Sequence, residues 1–401
     1  EIADRTYAIA AGGIGAMHLV AKKLGLVESI DRKLHLLKVH LPYHESDHVL
    51  NIAYNLLAGG ACLEHLELRR NDEVYLDALG ARRIPDPTTA GDFCRRFSAR
   101  DINALQEVFN ETRLKVWRQQ GDAFFEEAII EADGTMVETT GECKQGMDIN
   151  YKGQWGYHPL MISLANTGEP LYIVNRSGNR PSHEGAAEYL DKSITICRRA
   201  GFLKIKLRGD TDFTQTAYLD DWDDQGDVTF VFGIDAMPNL YKKAENPPKT
   251  AWKQLRRRSR QEVKTRPRAR PTNVKEQVVK EREFTNVRLV KEYVAEFKYS
   301  PALCKKTYRG VVVWKDLEVT QGQKKLFDDS KCFFYITNDW EASAEEIVFD
   351  ANDRCNQENL IGQHKSGVRS LTTPVDTLLS NWAYMVMAGL AWSMKAWSAL
   401  L

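Results

Sequence analysis

Apolar and polar positions change their spacing several times along the chain, and each change predicts a different kind of element. Over residues 1–120 the spacing is helical. Apolar residues recur every three or four positions from Ile14 to Leu26 and again from Val49 to Leu57, where Ser46 is a candidate cap. Pro85-Asp86-Pro87-Thr88-Thr89 interrupts the pattern, and Thr88 or Thr89 is expected to cap the next helix, through Phe93 and Phe97. A longer amphipathic helix is predicted over Asp101–Gln119. From about Phe124 short apolar runs take over. Ala128–Asp133, Pro159–Ala165, Pro170–Asn175, Lys204–Asp210 and Thr229–Ile234 read as strands, with the turn Asn166-Thr167-Gly168 between the second and third and a helix over His183–Ala200. That order predicts a mixed sheet flanked by helices. Further on, Arg288–Lys298, Gly310–Val319 and Lys331–Thr337 alternate as antiparallel strands do. A helix over Glu341–Lys365 and an apolar helix over Thr377–Leu401 complete the pattern. The fold class is therefore α/β, in four parts: a helical region 1–120, a sheet domain 121–235 resumed at 341–401, and a β-rich insertion 236–340.

Composition changes this picture in one respect. The 401 residues carry 55 Lys+Arg and 55 Asp+Glu, a formal net charge of zero, and 43% are hydrophobic. The hydrophobic share supports a real core and excludes a wholly disordered chain, and the zero, at face value, argues against a histone-like one. The zero conceals segregation. Tyr241–Arg309 holds 21 Lys/Arg against 7 Glu and no Asp, a net of +14, so the remainder carries −14. Within it, Lys253–Arg270 holds nine bases and one acid. Seven scattered cysteines form no Cys-x-x-Cys pair, which suits a reducing compartment and offers neither a zinc nor a disulfide framework. The run Thr377–Leu401 has 18 uncharged residues before Lys395, close to a membrane-spanning length, but Ser380, Asn381 and Ser393 favour a core helix. The chain opens on Glu1 and stops inside this apolar run, as a truncated chain would.

Three acids are candidates for chemistry. Asp133 and Asp210 each end an apolar strand, and Glu358 lies on the helix predicted over Glu341–Lys365. On adjacent strands the two aspartates would share one sheet edge. Converging carboxylates repel unless a cation joins them, and hard oxygen ligands select Mg²⁺ or Mn²⁺. Two such ions can activate an attacking oxygen and stabilise the leaving oxygen of a phosphodiester. Strand-terminal aspartates also cap loops or form ion pairs, and spacing alone leaves that reading open. Asp212 is the alternative second acid. The acids Asp220, Asp221, Asp223, Asp224 and Asp227 read as an exposed helix end and loop, and His158 as structural or as a DNA contact.

The surroundings of these acids are specific. Asp133-Gly134-Thr135, Arg208-Gly209-Asp210-Thr211-Asp212-Phe213, the segment Gly156-Tyr157-His158-Pro159-Leu160, and Arg354, Glu358 and Lys365 at offsets of four and seven resemble the motifs of DDE-type transposases of bacterial insertion sequences. The resemblance runs from about Gly12 to Leu390. It implies a ribonuclease H-like sheet interrupted by the β-rich insertion. It also implies a catalytic and metal-binding triad of Asp133, Asp210 and Glu358 with two Mg²⁺ or Mn²⁺ ions, and a helical N-terminal region that binds terminal inverted repeats. Arg354 and Lys365, near one helical face with Glu358, would contact phosphates on either side of it. The family's Tyr three residues before the Arg is Ala351 here, with Phe349 nearby.

The activity so implied is cut-and-paste DNA transposition: cleavage at the transposon ends and strand transfer into target DNA. The partners would be double-stranded DNA, both terminal repeats and target, and a second copy of the chain, with no membrane. The location would be the bacterial cytoplasm, at the nucleoid. Arg256, Arg257, Arg258 and Arg260 in the basic block would neutralise phosphates and release counterions. A metal-dependent nuclease without strand transfer would use the same triad, and an inactive DNA-binding relic would keep the fold alone.

Overall fold

The computed structural model describes residues 11–257, 271–322 and 324–401. The chain divides into two compact units, the first of residues 1–208 and 354–401, the second of residues 209–353.

In the first unit the helical pattern of the N-terminal region is realised with its breaks moved. The run from Ile14 splits into Ile14–Lys23 and Leu26–Lys33 because Gly25 sits at φ 68°, left-handed backbone that glycine adopts without strain. Ser46 is not a cap. It lies inside helix Glu45–Leu57 and donates its hydroxyl to Asp31 at 2.9 Å, while Asp47 receives the N–H of the capping residue His44. The cap expected at Thr88 or Thr89 is Asp86, which accepts the Thr89 N–H, with Pro87 in the first turn. Helix Ala99–Trp117 starts at Ser98 through a reciprocal capping box with Asp101.

A mixed sheet follows: β1 (Glu127–Gly134), β2 (Leu160–Leu164), β3 (Glu169–Val174) and β4 (Lys204–Gly209). β2 pairs antiparallel with both β3 and β1, and β1 pairs parallel with β4, with Glu131 opposite Arg208. Asn166 and Gly168 (φ 63°) make the β2–β3 turn. Helix Ala186–Ala200 supplies the crossover that a parallel β1–β4 pair requires. A small sheet of Val137–Glu138, Asp148–Ile149 and Trp155–Tyr157, not expected from the sequence, lies between β1 and β2 in the chain.

The apolar C-terminal run forms helix Leu378–Leu400, packed on helices Glu45–Leu57 and Ala99–Trp117 and on β3. It is a core helix. Among the described residues no helix is long and apolar enough to cross a membrane. Its end meets a polar node inside the core. Glu169, fully buried, accepts the Arg113 guanidinium at 2.9 Å and the indole N–H groups of Trp117 and Trp397 at 3.0 and 2.7 Å. A buried carboxylate is tolerated only with such complete pairing.

The second unit carries β5 (Val228–Ile234), β6 (Thr285–Tyr299), β7 (Tyr308–Gln321) and β8 (Lys324–Thr337). They pair antiparallel in the order β5, β8, β7, β6, with the short strand Lys253–Gln254 on β6. The hairpin strands are longer than expected, because their far ends, such as Lys324–Lys331, are exposed and charged and show no alternation. Helix Val274–Glu281, capped by Asn273, was not expected either. The aspartate cluster is less bare than its composition implies. Asp220 accepts the Tyr308 hydroxyl and the Lys305 N–H, each at 2.6 Å, and Lys306 reaches Asp223 and Asp224 at 2.5 and 2.6 Å.

The helix expected over Glu341–Lys365 is not continuous. It forms as Ala344–Asp353 and Cys355–Gly362 and ends in a π-turn, Gln363–Gly367. Asn352 and Asp353 are poor helix formers, and the Asn352 side chain takes the Val348 carbonyl. All seven cysteines are free thiols.

Candidate active site

The first unit brings Asp133, Arg354 and Glu358 together. Asp133 is the penultimate residue of β1, and one of its oxygens accepts the Gly134 N–H at 2.8 Å. Gly134 is required here by space. A Cβ at that position would come within 2.8 Å of the His158 ring and 3.3 Å of the Arg176 guanidinium. Arg176 is itself spent on backbone, donating to the carbonyls of His158, Pro181, Ser182 and Glu184. Burial pulls its pKa down to about 10.

Arg354 stands between the two carboxylates. Its terminal nitrogens lie 3.8 Å from Asp133 and 3.6 Å from Glu358. Asp133 is mostly enclosed, its side chain 15% exposed, whereas Glu358 is 62% exposed and open to an incoming ligand. What carries Glu358 to this place is its neighbour Gln357, 1% exposed, which receives the Ser163 hydroxyl and donates to the Met161 carbonyl on β2. Met161 is the register partner of Asp133, so helix Cys355–Gly362 is fixed beside β1.

Lys365 donates to the Met136 carbonyl at 2.8 Å, three residues beyond Asp133. Burial lowers its pKa, against the opposing pull of Glu138 and Asp133. Two residues before Asp133, Glu131 is bound to Arg208 at 2.6 Å in a pair that is almost wholly buried. This pair joins β1 to β4 at a register position, two residues ahead of Asp133 on one strand and two ahead of Asp210 in the other chain segment.

Asp210 belongs to the second unit. It caps the short turn Thr211–Phe213, its carboxylate accepting the Asp212 N–H at 3.0 Å, and Phe213 anchors the turn in the core. Asp212 is exposed. Ala351, at the signature Tyr position, is half-buried with Phe349 against the cluster of Val294, Val311, Ile347 and Val348. Arg256 is exposed, and Arg257 makes a two-pronged pair with the buried Glu292 at 2.7 and 3.0 Å. That pair holds Glu292 well below the usual carboxylate range. Arg258 and Arg260 lie outside the described residues.

Ser163, Gln357 and the pairing of Glu131 with Arg208 were not foreseen from the sequence. Arg208, inside Arg-Gly-Asp, and Gln357, beside Glu358, were the available signals. Asp133 and Glu358 offer hard carboxylate oxygens of the kind that could hold a divalent ion, and the Arg354 guanidinium lies between them. Among the described residues no three His, Cys, Asp or Glu side chains come close enough to hold a metal ion.

A mixed α/β protein with an acidic pair held about a cation at the end of a sheet strand is thus defined by its fold and site. The chain belongs to the transposase DDE domain group 1 family, whose pattern it matches over residues 8–399. Among solved structures it is similar to the piggyBac transposase in a cryo-EM structure of its synaptic complex with hairpin DNA. The identity is 11% and the TM-score 0.43, over 97% of this chain and 75% of that one. No curated protein matches it significantly.

Proposed function

We propose that the chain is a DNA transposase that cleaves a phosphodiester at each transposon end and joins the freed 3′-OH to target DNA. The observation that carries this reading is the pairing of Asp133 and Glu358, from β1 and from helix Cys355–Gly362, about one guanidinium. Asp210 is the third acid, and Mg²⁺ or Mn²⁺, two ions, is the cofactor the triad would hold. When bound, such ions supply Lewis acidity at the scissile phosphate. The strand order β3, β2, β1, β4, with β1 and β4 alone parallel, supports a ribonuclease H-like catalytic domain.

In this reading water attacks first and leaves a 3′-OH, which then attacks the target phosphodiester while the target's own 3′ oxygen departs. Arg354 and Lys365 hold the phosphates that flank the reacting one. Arg256, Arg258 and Arg260 contact the backbone of double-stranded DNA, both terminal repeats and target, and two copies of the chain hold the two ends.

Sequencing the host DNA that flanks the element supplies the terminal repeats. Incubated with Mn²⁺, a duplex ending in them is cleaved by the wild type, and Asp133→Asn and Glu358→Gln lower the rate by about 10³-fold or more while thermal unfolding stays unchanged. Identical products from wild type and Asp133→Asn would sink the enzyme reading. A pre-cut end bearing a 3′-OH separates transposase from plain nuclease, since only the former joins it to a second duplex.

A further inference from the structure

The second unit holds a cleft of about 520 Å³ whose walls are aromatic and acidic. Register places its aromatic residues. Tyr293 on β6 is opposite Trp314 on β7 and opposite Gln254 on its other side, and Trp252 precedes Gln254 by two. Alternation along β6 and β7 therefore sets Tyr293 and Trp314 on one face, and Trp252, just before the strand Lys253–Gln254, meets the Trp314 ring beside them. The intervening Val294 and Val313 point into the core on the opposite face. The indoles of Trp252 and Trp314 stand nearly perpendicular, at 82° with centroids 6.1 Å apart, so they form two walls of a corner.

Two carboxylates and a helix end complete the lining. Asp316, two residues on from Trp314 and on the same face, accepts the Trp314 indole N–H at 2.9 Å. Ala244 and Glu245 bring the carboxyl end of helix Pro238–Glu245, where the backbone dipole is negative. No Lys or Arg lines the cleft among the described residues, and Lys291, the register partner of Asp316, is exposed outside it.

Ring faces, carboxylates and a helix carboxyl end all favour positive charge and oppose phosphate. An unmodified ammonium is strongly hydrated and gives up water reluctantly, whereas a methylated one spreads its charge over an apolar surface that fits against indole. We propose that this cleft binds a methylated ammonium group, carried by a small quaternary amine or by a methylated lysine side chain. The chemistry is the same for both sources. It does not depend on the catalytic reading, because none of its residues belongs to the acidic site.

The test uses the full chain and follows the indole N–H resonances of Trp252 and Trp314 by NMR during titration. Choline is expected to shift both saturably, and 3,3-dimethylbutan-1-ol, its uncharged isostere, to bind at least about tenfold more weakly. A trimethyl-lysine peptide, with its unmodified counterpart as control, separates the sources. Tighter binding of the methylated peptide than of choline assigns the cleft to methylated lysine, and the reverse order to a small amine. Glu245→Gln should weaken choline severalfold. Trp314→Phe, which keeps an aromatic wall and the packing, should weaken it less than Trp314→Leu does. Equal binding of choline and its uncharged isostere overturns the proposal, as does choline binding that survives Trp314→Leu in a folded chain. Displacement of choline by a thymidine oligonucleotide overturns it too, since a base would then be the natural occupant.

Discussion

The position of Arg354 makes a prediction at the scale of single residues. Its guanidinium offsets the charge of both Asp133 and Glu358. Arg354→Ala removes that offset, so in the absence of DNA the variant is expected to bind Mn²⁺ more tightly, on the order of tenfold by calorimetry. In the presence of DNA it should cut more slowly, because a phosphate contact is lost. Unchanged Mn²⁺ affinity would mean that the guanidinium does not occupy the cation's place. Asp133 and Glu358 were legible because the residue types around them form a recognisable pattern. Gln357 and Ser163 were not. A glutamine beside an acidic residue reads as surface, and only the fold reveals that its amide is buried and bonded across β2.

Two features act at the scale of elements. The Glu131–Arg208 pair fixes β1 against β4 from inside the sheet. Glu131→Leu takes a buried carboxylate away from the Arg208 guanidinium and should cost about 3–5 kcal/mol in urea unfolding. The double change Glu131→Leu, Arg208→Met should recover most of it. The second feature is the π-turn after helix Cys355–Gly362, which carries His364 into the core. Its ring nitrogen meets the Ser370 hydroxyl at 2.6 Å beside Trp392, and burial pulls its pKa from 6.5 down to about 3. The folded state therefore takes up this proton later than the unfolded chain does. Stability is fully present above about 6.5 and falls as pH drops from there toward 3. His364→Met should flatten that acid limb, measured as unfolding midpoint against pH, and His48, lowered to about 4 by burial, should account for part of what remains. The strands and long helices were legible from periodicity. The π-turn was not, because hydrogen-bond register inside a helix leaves no trace in the spacing of apolar residues, and the charged ends of β6, β7 and β8 were not because exposed strand carries no alternation.

Charge belongs to the whole molecule. Net zero is the sum of a basic block and an acidic remainder, and a duplex responds to the block. Changing Arg256, Arg258 and Arg260 to Gln together should lower the slope of log affinity for duplex DNA against log salt by about 2 to 3. Arg257 is the control. Engaged with Glu292, it should affect stability more than the salt slope when changed to Gln. Equal slopes for wild type and the triple variant would remove the block from the DNA interface.

The first unit is discontinuous in sequence, and that has a consequence for how the protein comes into being. Residues 209–353 are one uninterrupted stretch, whereas the first unit needs residues 354–401 to close. During synthesis the second unit can complete itself while the first still waits for its final segment. Glu358 and Gln357 arrive with that segment, and so does Trp397, a donor to the buried Glu169. A nascent chain stalled before them would hold Asp133 without its acidic partner and Glu169 short of a donor. The acidic pair thus exists only once translation has passed residue 358, so a chain interrupted earlier carries Asp133 alone.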